Sequence, residues 1–329
     1  MKNFTDIGQF RNVIRAVKSH HDYIGKDEND NPIYRNDTPY PTIKFRGTIK
    51  LHGTNAAVIK YKDGHYEYQS RERVLNIKED NKCFMLNMLN CDMDKLFSGI
   101  EFEEFCGIYG EWVGSGIQGG TALSRVPKMW VIFAVRIDNT YQDMANYKHL
   151  KIEDQRIFNI LQFPYYEVDI DFNNPEDSQN KLVDYTTSVE KECPVGKYFG
   201  SQGVGEGVVW EHINDTARYI FKVKGEKHQN SKVKKLATVD VEAVKNIKEF
   251  VEYAVTENRM LQGIDKMVEL RKPLKPPTTG DYIKWVYDDV IKEEQDTIVK
   301  NGIDPKKLNS YVAKKAQGFW FRYINELTY

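Results

Sequence analysis

A chain of 329 residues, 40% hydrophobic and 29% charged, is long enough for two folded domains and apolar enough for a real core. Its net charge of −1 gives no global argument for nucleic-acid binding, so such a partner would have to be met by local charge. Neither a membrane span, a signal peptide, zinc ligands nor a disulfide frame is expected. No apolar run nears spanning length, Met1-Lys2-Asn3-Phe4-Thr5 opens no h-region, and Cys83, Cys91, Cys106 and Cys193 lack Cys-x-x-Cys spacing. A cytoplasmic monomer is expected, in the host cytoplasm if the chain is viral.

In chain order, a helical pattern covers 8–19 and a polar, proline-bearing surface loop covers 22–42. His20 and His21 are adjacent on a helix end, do not face one another, and receive no role. Thr42 to Ile49 alternates as a strand and delivers Lys50, the first residue of Lys50-Leu51-His52-Gly53-Thr54-Asn55. A turn at Gly53 leads into the apolar run Ala56 to Ile59. A lysine held at a strand end by such a turn can project into a cleft. It becomes a covalent nucleophile when its ordinary pKa of about 10.4 is lowered; on an open surface it is merely solvated.

Asp63-Gly64 then reads as a hairpin turn between Ala56–Tyr61 and His65–Tyr68. In Ser70-Arg71-Glu72-Arg73 the two arginines, at i and i+2, share one face of the predicted strand. Further strands are predicted at 104–112, 130–137, 206–211 and 217–223, and a helix at 149–161. Glu206 sits between two glycines, which permit close backbone approach. Lys222 and Lys224 alternate on their strand, so both can point into one cleft. With Lys227, Lys232, Lys234 and Lys235 they form a stripe suited to a phosphate backbone, or to a solvated linker.

The pattern changes after about residue 237. Helices are predicted from Asp240 through Met260, from Asp281 with Ile283, Val286, Tyr287, Val290 and Ile291 on one face, and from the cap pair Asp304-Pro305 to about Leu327. The fold class is therefore α+β: an antiparallel-sheet domain over 1–236, followed by a small all-helical domain over 237–329.

Lys50 to Asn55, Ser70-Arg71, Tyr109 to Gly114, Met129 to Val135, Gly205 to Val209 and Phe221 to Lys224 follow one another in the motif order of the covalent nucleotidyltransferases. These include nucleic-acid ligases and messenger-RNA capping enzymes. Over roughly residues 42 to 230 the chain resembles the bacteriophage T4 RNA ligase 2 family, which also holds the RNA-editing ligases. His52 stands where DNA ligases carry aspartate, and the tail is helical where DNA ligases and capping enzymes carry an OB-fold.

The resemblance implies an adenylyltransferase domain, an RNA-binding helical tail, ATP as donor and Mg²⁺ or Mn²⁺. Lys50 would attack the α-phosphate and carry AMP. The AMP would pass to an RNA 5′-phosphate, and a 3′-hydroxyl would expel it, in RNA that is duplex or nicked. By the same resemblance Lys50, His52, Glu206, Lys222 and Lys224 are catalytic. Leu51, Asn55, Arg71, Glu111 and Phe133 join Lys50, Glu206, Lys222 and Lys224 in holding the nucleotide, and Glu111 and Glu206 hold the metal. Either Arg71 or Arg73 meets the nucleotide, and Phe133 either stacks on adenine or is plain core. The alternatives are a DNA ligase, a GTP-using capping enzyme, or a silent RNA-binding protein that keeps the fold.

Overall fold

A side-chain period of two organises the first part of the chain, and a period of 3.6 the last. The computed structural model describes residues 1–35, 39–214, 216–225 and 247–327. The strands are β1 (Tyr23–Lys26), β2 (Pro32–Tyr34), β3 (Thr42–Lys50), β4 (Thr54–Tyr61), β5 (Tyr66–Ser70) and β6 (Phe105–Val113). They continue as β7 (Met129–Ile137), β8 (Thr140–Gln142), β9 (Ile157–Asn159), β10 (Tyr165–Asp171), β11 (Gly207–Ile213) and β12 (Arg218–Lys224). Helices α1 (Phe10–Asp22), α2 (Phe84–Met88), α3 (Met93–Leu96), α4 (Gln179–Lys191) and α5 (Pro194–Tyr198) are interleaved with them. The chain divides into two compact units, Met1–Gly225 and Glu226–Tyr329. The expected division at 236/237 lies outside the described residues, as do Asp240, Lys227, Lys232, Lys234 and Lys235.

In the first unit, a four-stranded antiparallel sheet runs β10-β3-β11-β12 and a second sheet runs β5-β4-β6-β7-β8, with β9 added to β7. β1 and β2 form a separate hairpin inside the stretch expected to be loop. Alternation along β3, β11 and β12 sends Phe45, Ile49, Val208, Trp210, Phe221 and Val223 to one buried face. Helices α1 and α4 cover that face, with Phe10 4.8 Å from Phe221 and Tyr185 5.8 Å from Trp210, ring centre to ring centre. The second sheet is backed by α2 and α3, where Phe84 packs edge-on against Trp112 and Trp130. Full burial of a side chain such as Phe84 contributes roughly 1.5–3 kcal/mol. A smaller core joins the two sheets: Phe4, Ala57, Ile59, Phe105, Tyr109 and Ala134, with Ile220 of β12 packed on it.

Two further local expectations fail in this unit. Residues 149–161 are not a helix; they form 3-10 turns at 153–155 and 160–162 flanking β9. β9 pairs in parallel with Trp130 to Ile132, and Arg156 takes a left-handed conformation (φ 59°) that stops a helix. Tertiary pairing therefore outweighs the local apolar period. Arg71 and Arg73 do not share a strand face either, because β5 ends at Ser70. The Ser70 N–H donates to the Arg73 carbonyl and the chain turns back.

The second unit is helical over its described part: α6 (Ile247–Ala254), α7 (Glu257–Glu269), α8 (Thr279–Lys300) and α9 (Pro305–Glu326). The helix expected to run to Met260 breaks at Val255-Thr256, where the Thr256 hydroxyl accepts from the Arg259 N–H (3.3 Å) and starts α7. Asp304 caps α9 through the Lys306 N–H, with Pro305 as first helical residue, as its sequence requires. Tyr282, Val286 and Val290 of α8 meet Leu308, Val312, Ala316 and Trp320 of α9. No described helix is long and apolar enough to cross a membrane. The four cysteines are free thiols.

Candidate active site

Strand register assembles this site. Lys50, the last residue of β3, lies opposite Gly207 of β11, and Gly207 lies opposite Lys224 of β12. The two lysines therefore flank a residue with no side chain, on the sheet face opposite Phe45, Trp210 and Phe221. Gly207 has φ +152°, and a Cβ there would stand 2.1 Å from the Val223 carbonyl oxygen, so no other residue fits. Glu206, one residue before β11, turns into the gap between the lysines.

Glu206 is buried and accepts from three cations or cation-capable groups. Lys50 Nζ donates to Oε2 at 2.8 Å, and Lys224 Nζ lies 3.0 Å from Oε1. His52 Nδ1 lies 3.3 Å from Oε2 and acts as donor, since an ionised carboxylate only accepts. Burial alone would raise the Glu206 pKa. The ammonium groups of Lys50 and Lys224 and the His52 hydrogen bond outweigh it and hold the carboxyl well below its ordinary value. Lys224 is pushed down to about 8 by desolvation and by the charges of Lys50 and Lys222, against the opposing pull of Glu206. Lys222 shares the sheet face of Lys224, two residues away, and its charge is felt there.

The opposing wall comes from the second sheet. Asn55 of β4 is directly across from Glu111 of β6, and Val131 of β7 is on the far side of Glu111. Glu111 is half-buried, and desolvation pushes its pKa up to about 7; Glu206 adds to the rise, while Lys50, Arg71 and the Gly53 N–H oppose it. Gly53 is required by close approach, because a Cβ would meet the Trp112 carbonyl oxygen at 2.3 Å. The hexapeptide turn thus presses its backbone against the strand that carries Glu111.

The remaining predicted residues divide. Arg71 pairs with Asp6 and acts electrostatically on Glu111. Arg73 donates to the carbonyls of Glu79 and Asp80 and so braces a loop. Phe133 is the extra residue of a β-bulge: Tyr109 pairs with Ala134 and Gly110 with Ile132. The bulge turns Phe133 onto the inter-sheet side, where Phe4 meets it edge-on at 5.0 Å. The Leu51 side chain is buried, so only its backbone is available to a ligand. Phe4 and Asp6 carried no sequence signal, because the segment 1–8 has neither helical nor strand period.

Among the described residues no group of three or more His, Cys, Asp or Glu is arranged to hold a metal. Two carboxylates close enough to repel, Glu111 and Glu206, are the donor set present. That set suits a hard cation that keeps most of its waters and shares a phosphate. It does not suit a zinc-type cage.

Glu111 yields a pH prediction. Its folded pKa of about 7 exceeds the unfolded value of about 4.3, so the folded state holds the extra proton and stability falls as pH rises through that window. Glu111→Gln should therefore match the wild type near pH 4 and gain up to about 3–4 kcal/mol on it by pH 8. Thermal melts of both proteins across that range check the divergence; parallel curves would contradict it.

Residues 43–224, more than half of the chain, match the family model described as RNA ligase. No curated protein matches the chain. Solved structures similar to it include Naegleria gruberi RNA ligase with PPi (15% identity, TM-score 0.44). A mutant of that ligase with ATP and Mn (16%, 0.43) and an apo mutant (16%, 0.46) are similar too. The matches cover 68–69% of this chain and 56% of those chains, so the chain spans little more than half of their length. The match of the family model runs from the second residue of β3 to Lys224, the last residue of β12, and so takes in both the sheet that carries the Lys50–Glu206–Lys224 row and the sheet that carries Glu111: the chain belongs to the RNA ligase family.

Proposed function

We propose that the chain is an ATP-dependent RNA ligase of the T4 RNA ligase 2 type, which seals 3′-hydroxyl/5′-phosphate breaks through a lysyl-AMP and an adenylylated RNA. The observation that carries this reading is the row Lys50–Glu206–Lys224, in which one buried carboxylate holds the terminal amines of two lysines at 2.8 and 3.0 Å.

Lys50 sheds a proton to solvent, and its amine attacks the α-phosphorus of ATP. The N–P bond forms as the bond to the pyrophosphate oxygen breaks. Phosphoryl transfer needs cations in line with the departing charge more than covalent help. Lys224 and Lys222 supply fixed positive charge beside Lys50. Glu206, itself bonded to His52, keeps the termini of Lys50 and Lys224 in place. Glu111 and Asn55 face them across the cleft, with Arg71 on the Glu111 side and Phe133 in reach of the base. Glu111 and Glu206 would hold Mg²⁺ or Mn²⁺, which supplies charge neutralisation on the phosphates. The AMP then passes to an RNA 5′-phosphate oxygen, and a 3′-hydroxyl displaces it.

We assign nucleotidyl transfer to the first unit and RNA binding to the helical one. Helix α9 carries Lys306, Lys307, Lys314, Lys315 and Arg322 against a single acid, Glu326. Tyr311 and Phe321 are exposed on the same helix. Phosphate contacts of this kind release counterions, so sealing of nicked duplex RNA should fall at least about tenfold between 50 and 200 mM salt. Adduct formation from ATP should change little over that range. Equal salt sensitivity of the two reactions would contradict this division of labour.

The deciding experiment is label transfer from α-³²P-ATP to the purified protein, run beside α-³²P-GTP, followed by RNA and DNA nicks as acceptors. The proposal expects label from ATP only and sealing of RNA. Label from GTP would make the chain a guanylyltransferase. Sealing of DNA alone would make it a DNA ligase. No label from either would leave a binding protein.

A further inference from the structure

The N-terminal segment threads between the two sheets of the first unit and is pinned to both. The Lys222 N–H of β12 donates to the Gly8 carbonyl at 3.0 Å, and Arg218 Nη1 to the Thr5 hydroxyl at 3.0 Å. From the other sheet, the Tyr109 hydroxyl donates to the Lys2 carbonyl at 2.8 Å, and the Thr5 N–H donates to the Tyr141 hydroxyl oxygen at 3.1 Å. Seven residues held this tightly place two side chains against two groups of the site. Phe4, 7% exposed, meets Phe133 edge-on at 5.0 Å and also touches Tyr109 and Tyr141. Asp6 takes the Nη2 side of Arg71.

We infer that Asp6 and Phe4 are positioning residues of the nucleotide site: Asp6 orients the Arg71 guanidinium and Phe4 fixes the ring of Phe133. This rests on the reading of Arg71 and Phe133 as nucleotide-holding groups. The physical case is one of freedom removed. Arg71 stands just past the end of β5, on a turn, where a long side chain has many rotamers. A charge-assisted bond to a carboxylate whose neighbours in the chain are tied to both sheets selects among them before ATP arrives. Phe133, standing out at a bulge, lacks the two-sided packing of a regular strand residue. Edge-on contact with Phe4 supplies the missing side and leaves a ring face for the base.

Asp6 is 56% exposed, so Asp6→Asn does not threaten the fold. It should raise the KM for ATP in adduct formation about tenfold with kcat nearly unchanged, since a pre-set binding group is lost and the nucleophile is not. The melting temperature without ligand should hold, while the upward shift produced by ATP with Mg²⁺ should shrink. Asp6→Glu should restore most of the loss. In an Arg71→Ala background Asp6→Asn should add nothing, because its effect runs through that guanidinium. Phe4→Leu, which keeps apolar volume, should raise KM in the same manner.

Wild-type adduct formation with an unchanged KM in Asp6→Asn would overturn the inference alone. A lowered KM would overturn it too, by showing that the segment competes with the nucleotide for Arg71. Absence of any adduct in the wild type would overturn the nucleotide reading, and this inference with it.

Discussion

Lys50→Ala is expected to abolish transfer of AMP from ATP to the protein, a loss of at least roughly 10³-fold that leaves no labelled band. The same variant should still seal RNA that is supplied already adenylylated, within about tenfold of wild type, since in the proposed mechanism only the first step uses an amine as nucleophile. Structure makes this separation reasonable. Removing the Lys50 side chain takes one donor from Glu206, but Lys224 at 3.0 Å and His52 at 3.3 Å still engage that carboxylate. Lys224 of β12 therefore keeps its anchor. A denaturing gel after incubation with α-³²P-ATP, and a sealing assay on pre-adenylylated RNA, read the two halves independently. Persistence of the adduct would move the nucleophile to Lys222 or Lys224 of β12, the lysines nearest to Lys50 on that sheet face.

Glu206→Ala has the opposite character, with consequences for stability as well as for chemistry. It leaves Lys50 and Lys224 as close like charges with no anion between them. Removing one partner from a buried ionic cluster costs about 3–5 kcal/mol. At about 2–4 °C per kcal/mol for a unit of this size, a fall of roughly 6–20 °C in melting temperature is expected, with no adduct formed. Glu206→Gln keeps the shape and one acceptor and should lose less. Its gap from wild type should also depend on pH. The folded pKa of Glu206 lies well below its ordinary 4.5, so the charge stabilises the fold above that ordinary value. The contribution is lost as pH falls through the depressed folded value. The difference between wild type and Glu206→Gln should thus be full at neutral pH and shrink only below about pH 4. A gap that widened on acidification would contradict the ion-cluster account.

Taken with Glu111→Gln, these variants separate two carboxylates that sequence alone treats as a pair. Glu206 is held ionised by lysines on both sides, and Glu111, across the cleft, retains a proton to near neutrality. The first variant destabilises and the second stabilises at pH 8, although both should impair nucleotidyl transfer. Groups whose surroundings push their pKa values apart are common at working sites.

Much of this was legible in the residues themselves. A period of two over Thr42–Ile49 and over Phe221–Lys224 is a statement about faces, and it was enough to place Lys50, Lys222 and Lys224 on strands. Asp304-Pro305 starts a helix wherever it stands, because a side-chain cap and a missing N–H are local facts. What sequence did not carry was everything decided by partners far along the chain. Glu206 meets Lys50 across 156 positions, through the β3–β11 register. Residues 149–161 looked helical and became two 3-10 turns around a short strand because β7 offered an edge. Arg71 and Arg73 looked equivalent until a turn at Ser70 gave one to Asp6 and the other to loop carbonyls. The first eight residues have no periodic pattern, and their place between the sheets is set by hydroxyls and carbonyls on both sides. Local propensity chose the elements and their faces; burial and pairing chose which charges would meet.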